Sequence, residues 1–266
     1  MELALSDGGA LYYELHGDRG PWLVCLNGVM ATTATWAPIC ALASQNHRVI
    51  LVDFRDQGRS SRLAPGYRAE RHCADLIELF DHLRIEQLDV LGVSYGGHVA
   101  ITFARDHAHR VRRLVLASIT ARPAPHLRAV GAEWEAIASE RNAERLFEAC
   151  NPQVYAPGFL DRHGELLRER QRSARHLLDE AWFDAFLRLA ASARDFDHGD
   201  DLAAIAAPTL LVCGSDDVLT PPDQMFAMAD RIADCSALAI PSGGHGVMME
   251  QPRAFAAAVL GFLALR

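Results

Sequence analysis

The sequence predicts an α/β protein: a mostly parallel sheet with helices on both faces and a helical segment inserted late in the chain. Three observations predict it. Short apolar runs with little polar alternation, at residues 22–26, 49–52 and 111–117, read as strands buried on both faces. Segments of helical period lie between them, clearest where Leu76, Leu79, Phe80 and Leu83 fall on one face. The alternation stops over residues 120–200, where helical patterns follow one another without a convincing strand.

Taken in order, residues 3–5 and 11–15 are short apolar-rich runs separated by Ser6-Asp7-Gly8-Gly9, which is hairpin chemistry. The strand at 22–26 stops at Asn27-Gly28, and a helical segment follows over 35–44. The strand at 49–52 closes in Asp53 and gives way to the polar loop Asp53-Phe54-Arg55-Asp56-Gln57-Gly58-Arg59-Ser60-Ser61. An amphipathic helix covers 69–83, a strand 88–91, a helix from near Tyr95 to 104, and a strand 111–117. Strands at 209–213 and 238–240 flank a helix near 222–232, and a last helix covers 252–265. That makes an eight-stranded sheet. Pro123 and Pro125 open the interruption, with helical patterns around 132–149, 160–178 and 181–193. Residues 1–119 and 201–266 are therefore read as one core, and 120–200 as a helical cap inserted in it.

Composition narrows the chemistry. The chain has 266 residues, with 26 basic against 34 acidic and a net charge of −8. An acidic chain is a poor generic partner for nucleic acid or an anionic membrane. Every basic residue is Arg, which excludes Schiff-base and pyridoxal phosphate chemistry and a P-loop lysine. Cysteines at 25, 40, 73, 150, 213 and 235 form no C-x-x-C pair and none stands at zinc-ligand spacing from a His, so no metal and no cofactor is expected. The opening residues show no basic stretch leading into an apolar one, and no apolar run approaches the roughly 18 residues of a membrane span. The expected location is the cytoplasm.

Gly92-Val93-Ser94-Tyr95-Gly96 fits G-x-S-x-G between a buried strand and a helix. Such a turn strains the Ser backbone and lifts its hydroxyl above the sheet, and the flanking glycines admit backbone passing close by. Ser94 is the expected nucleophile. It needs a base, and the base needs an orienting acid. Of twelve His, His245 stands on a Gly-rich loop after the last strand, where it can swing over the sheet top. His47, His107 and His109 sit at the opposite edge, where solvent exposure is expected, and His98 is expected to pack in its own helix. Asp216 and Asp217 compete for the acid, and the turn toward Pro221 favours Asp217. The chain order is then Ser94, Asp217, His245.

With the elbow GVSYGG, the loop DFRDQGRSS, the acid turn GSDDVLTP and the segment GGHGVMMEQP, the chain resembles the α/β-hydrolase superfamily over nearly its whole length. The resemblance implies the α/β-hydrolase fold and an oxyanion hole made by the backbone N–H groups of Val29 and Tyr95. Asn27-Gly28 stands where that superfamily usually has His-Gly. The stretch from Leu26 to Ala34 is similar to 3-hydroxyacyl-ACP acyltransferases, while the elbow and the acid turn look more like ordinary esterases. Two readings follow: a serine hydrolase of an ester or thioester with an apolar acyl part, or a transferase or thioesterase whose substrate is borne on CoA or an acyl carrier protein. A C–C bond hydrolase and a non-catalytic small-molecule receptor are further alternatives. Arg162, Arg168, Arg170, Arg172 and Arg175 would hold the phosphates of such a carrier, although the cap as a whole is acidic. The substrate pocket is expected to use Asn27, Met30, Trp134, Trp182 and Phe186.

Overall fold

Leu23 and Cys25 face one side of their strand and Val24 and Leu26 the other, and all four are buried. A strand with two apolar faces is stable only between two layers of helices. The computed structural model describes residues 1–265 and shows that arrangement. Its eight strands are β1 (Glu2–Ala4), β2 (Ala10–His16), β3 (Trp22–Leu26), β4 (Arg48–Val52), β5 (Leu88–Val93), β6 (Val111–Ala117), β7 (Thr209–Gly214) and β8 (Cys235–Ile240). They form one sheet in the order β1-β2-β4-β3-β5-β6-β7-β8. Strands β3 to β8 pair in parallel, and β2 runs against both of its neighbours.

Helices α1 (Ala37–Ala43), α2 (Ala69–His82) and α3 (Tyr95–Asp106) belong to the first half of the core. Four more, α4 (Pro125–Ser139), α5 (Ala143–Val154), α6 (Pro157–Leu177) and α7 (Glu180–Ser192), lie in the interruption. The core ends with α8 (Pro222–Ala229), the single turn α9 (Val247–Glu250) and α10 (Pro252–Leu263). One face of the sheet packs on α2, α3 and α8 through side chains such as Leu76, Phe80, Val99, Phe103 and Met225. The other packs on α1 and α10 through Ile39, Cys40, Phe255 and Val259. No helix among the described residues is long and apolar enough to cross a membrane.

The strand order reverses around β3: the chain moves outward to β4 and then returns to β5 on the other side. In an open parallel sheet the crevice at such a reversal is where ligands bind. It is bounded here by the end of β3, at Asn27 and Gly28, and the end of β5, at Ser94. The interruption differs from its sequence pattern in one place. A single helix over 132–149 is expected, and the chain instead breaks between α4 and α5. Arg141 adopts φ +58°, and the Asn142 side chain caps α5 by accepting from Arg145 N at 3.0 Å. The apolar periodicity runs through the break because both helices turn their apolar faces to one cluster, with Ile137, Leu146, Cys150, Phe183 and Phe186.

The loop after β4 is rooted in the core. Arg55 Nε donates to Asp75 at 2.8 Å, a second nitrogen donates at 2.5 Å, and the two side chains are 3% and 1% exposed. Its far side meets the interruption, where the Arg188 guanidinium of α7 donates to both Asp56 carboxylate oxygens at 2.6 and 3.1 Å. Removing one member of a buried pair leaves the other charge desolvated. Arg55 keeps a second bond, to the partly exposed Asp7 at 2.7 Å, so Asp75→Ala is expected to lower unfolding free energy by about 1–3 kcal/mol rather than the full cost of an unpaired buried charge, read from urea denaturation midpoints.

Candidate active site

Ser94 sits between β5 and α3 at φ +51° and ψ −117°, a strained backbone for a residue with a Cβ. Close packing holds it there. A Cβ on Gly96 would lie 2.1 Å from the Leu26 carbonyl oxygen, so the elbow can sit against the end of β3 only with glycine at that position. Ser94 N donates to Ala117 O at 2.9 Å, tying the elbow to β6 on its other side.

The structure brings Ser94, His245 and Asp217 together. His245 Nε2 is 3.0 Å from Ser94 Oγ. Its Nδ1 is 3.0 and 3.2 Å from the two Asp217 oxygens. Asp217 is buried and Asp216 exposed, because Leu219 N, Thr220 N and Thr220 Oγ1 donate to the Asp217 carboxylate at 2.9, 2.9 and 2.7 Å. Burial alone would raise its pKa; the His245 ring and the Thr220 bonds outweigh that and hold it below the usual carboxylate value. The competing histidines lie elsewhere. His109 is exposed and His107 half-buried, but His47 is buried rather than solvated. Gly17 places its backbone hard against the His47 carbonyl and closes that edge of the sheet.

The His245 loop is held by residues that the sequence pattern did not single out. Ser118, at the end of β6 with φ +50°, donates from Oγ to His245 O at 2.8 Å. Glu250 accepts from Gly244 N and from Ala156 N, both at 2.9 Å, so one carboxylate fixes both the loop and the entry to α6. Burial raises the Glu250 pKa, and these two N–H groups draw it back. Only the three-dimensional return of the chain places these partners together. The one local signal was the polarity of Ser118 and Glu250 beside apolar runs.

Val29 and Tyr95 flank Ser94, and among the described residues no hydrogen-bond acceptor takes either backbone N–H. The Tyr95 hydroxyl lies between His72 Nε2, at 3.0 Å, and Ser192 Oγ, at 2.8 Å. Burial pushes the His72 pKa down to about 3, so this ring is neutral and the contact carries no charge toward Ser94. Asn27 does not line a pocket as expected. It is fully buried, accepting from Trp36 Nε1 at 2.7 Å and donating to Val52 O at 2.9 Å and Gln57 Oε1 at 3.1 Å.

Two cavities open on Ser94. One, of 410 Å³, has walls from Leu127, Phe186, Ala190, Phe196 and Leu219. The other, of 240 Å³, has walls from Met30, Trp36, Phe147, Val154, Tyr155 and Met248. Val29, Ser94, Trp134 and His245 line both. Of the expected pocket residues, Trp134, Phe186 and Met30 thus reach the site. Trp182 does not: it stacks on Phe186 and faces a separate cleft of 20 Å³ beside Asp56 and Gln57. His98 lines the larger cavity, next to Phe196, rather than packing only within its own helix. None of the five arginines at 162–175 lines either cavity. Arg168 and Arg172 border a surface groove with Glu144 and Glu148, and Arg175 pairs with Glu144. Among the described residues, no three His, Cys, Asp or Glu side chains converge as a metal site would require.

The sequence matches the Alpha/beta hydrolase family over residues 23–258. Among its relatives are RutD proteins assigned by name to carbamate hydrolysis. That of Variovorax paradoxus (strain S110) is 31% identical and covers 96% of each chain. That of Caulobacter sp. (strain K31) is 28% identical over 99% of this chain and 98% of its own. Among solved structures, MGS-M2, an alpha/beta hydrolase enzyme from a Medee basin deep-sea metagenome library, superposes with a TM-score of 0.96 at 30% identity, covering 100% of this chain and 98% of its own. The enol-lactonase from Burkholderia xenovorans LB400 has a TM-score of 0.89 at 25% identity, covering 100% of both chains.

Proposed function

We propose that this chain, which belongs to the alpha/beta hydrolase family, is a serine hydrolase that cleaves esters carrying an apolar group on each side of the scissile bond. The observation that supports this most is the Ser94–His245–Asp217 chain of 3.0 Å contacts, whose Ser94 and His245 line both cavities. His245 Nε2 takes the Ser94 proton as Oγ bonds to the ester carbonyl carbon. Asp217, an anion aimed at Nδ1, stabilises the imidazolium that forms. The carbonyl oxygen becomes an oxyanion facing the N–H groups of Val29 and Tyr95, beside the N-terminus of α3. His245 then gives its proton to the leaving alcohol oxygen as the C–O bond breaks. Water repeats the attack on the acyl-enzyme, releases the carboxylic acid and restores Ser94.

The same steps would cleave a carbamate through a carbamoyl-enzyme, a second reading favoured by the RutD relatives. Against the smallest carbamates stands the size of the apolar space at Ser94, 410 and 240 Å³. The Arg162–Arg175 cluster stands clear of both cavities, so simple esters are preferred here to thioesters on CoA or an acyl carrier protein. A fluorophosphonate probe tests the reading: it should attach to Ser94 and abolish ester hydrolysis together. Hydrolysis that survives full labelling, or labelling elsewhere, would overturn it.

Trp134, like Val29, Ser94 and His245, lines both cavities, so removing its ring in Trp134→Ala should enlarge the shared space. In an apolar pocket each added methylene changes kcat/KM by roughly tenfold or more when it fits. The variant is expected to shift the optimum of p-nitrophenyl esters, assayed from acetate to decanoate, toward longer chains by at least that factor. An unchanged profile would remove Trp134 from the substrate space.

A further inference from the structure

We propose that Gln57 is a positioning residue for the oxyanion hole, the last side chain of an amide relay that ends on the peptide carrying the Val29 N–H. The proposal rests on the site reading above. Gln57 Nε2 donates to Gly28 O at 2.8 Å and to Val29 O at 3.3 Å. Gly28 C=O and Val29 N–H belong to one planar trans peptide, so they point in opposite directions. Holding the carbonyl on one side therefore aims the N–H on the other.

The orientation of the Gln57 amide is itself decided by its surroundings. Its Oε1 accepts from Asn27 Nδ2 at 3.1 Å and from Phe54 N at 3.3 Å. The reverse orientation would set that oxygen against two carbonyl oxygens and the NH2 against two donors. Asn27 is oriented in turn by Trp36 Nε1, which donates to its Oδ1 at 2.7 Å. Every bond runs the same way: Trp36 N–H to Asn27, Asn27 NH2 to Gln57, Gln57 NH2 to Gly28 C=O, and Val29 N–H toward the developing oxyanion. Hydrogen bonds in such a chain polarise one another, more so where water is excluded. Trp36, Asn27 and Gln57 are 1%, 0% and 4% exposed.

The loop that carries Gln57 is fixed as well. Asp53 accepts from Thr33 N at 2.7 Å and Arg59 N at 3.1 Å. Gly58 has φ +44°, and a Cβ there would meet an Asp53 carboxylate oxygen at 2.0 Å. Asn27, which stands where the superfamily usually has His, is thus part of a relay whose last side chain lies thirty residues later.

The test uses the full chain with Gln57→Met, which keeps the length of the side chain and removes its polar atoms. Gln57→Glu keeps the acceptor oxygen and removes the donor. Trp36→Phe removes the first donor while keeping an aromatic ring in the wall of the smaller cavity. Loss of a direct oxyanion donor costs roughly 10²–10³-fold in kcat; losing its support is expected to cost about 10–100-fold, with KM nearly unchanged and a smaller fall for Trp36→Phe. Affinity for a trifluoromethyl ketone, which forms an oxyanion on Ser94, should fall by the same factor as kcat/KM. A merely structural role would lower melting temperature without that proportionality, and this result, or wild-type kcat in both Gln57 variants, would overturn the proposal. Wild-type protein that a fluorophosphonate fails to label at Ser94 would overturn the site reading, and the role of Gln57 with it. Labelling at Ser94 with unaffected Gln57 variants would overturn the relay alone.

Discussion

Ser94→Ala is expected to lower kcat for a p-nitrophenyl ester by on the order of 10⁴- to 10⁶-fold, leaving the residual rate that binding and the oxyanion donors supply. The expectation comes from what the variant keeps. The cavities, the N–H groups of Val29 and Tyr95 and the His245–Asp217 pair all stay in place, but no oxygen remains 3.0 Å from His245 Nε2 to form the acyl bond. Ester binding should persist, so inhibition of the wild-type enzyme by a slowly cleaved ester should be matched by binding of that ester to the variant in calorimetry. Turnover within tenfold of wild type would show that Ser94 is not the nucleophile.

Asp217→Asn should lower kcat by about 10⁴-fold through the tautomer of His245. Leu219 N, Thr220 N and Thr220 Oγ1 all donate to position 217. An Asn there keeps its oxygen toward the two backbone donors, Leu219 N and Thr220 N, and turns its NH2 toward His245 Nδ1, with the Thr220 hydroxyl accepting from that NH2 instead of donating. The ring must then accept at Nδ1 and carry its proton on Nε2, where it cannot take one from Ser94. The imidazolium of the reaction also loses its facing anion. Little change in folding is expected, because Asn fills the same space. Imidazole ¹⁵N shifts would report the tautomer directly. Wild-type shifts together with wild-type kcat would remove Asp217 from the mechanism.

Much of the candidate site was legible from short spacings. The glycines around Ser94 mark a turn that only small residues permit, because a Cβ on Gly96 would lie only 2.1 Å from the Leu26 carbonyl oxygen. Asp217 and His245 each follow an apolar strand, so their positions at the top of the sheet follow from alternation alone. The pocket side chains were harder to read. Trp134, Phe186 and Trp182 are all large aromatics on amphipathic helices. Which of them reaches Ser94 depends on how each helix is rotated against its neighbours, and Trp182 is turned onto Phe186 instead.

Asn27 shows the same limit. A polar residue at the end of a buried strand reads alike whether it faces a ligand or a network. Its partner Gln57 is found only through the register of β3 against β4, which sets Leu26 beside Val52 and so brings Asn27 to the loop that follows Asp53. By itself the sequence determined the two-faced parallel sheet, the inserted helices, the elbow at Ser94 and the order of its partners, because these depend on periodicity and on residues a few positions apart. The tertiary structure alone decided the burial of His47, the two cavities that share Ser94 and Trp134 in their walls, and the relay through Gln57. Each of those rests on contacts between segments far apart in the chain, whose geometry exists only once the strands are paired and the helices packed.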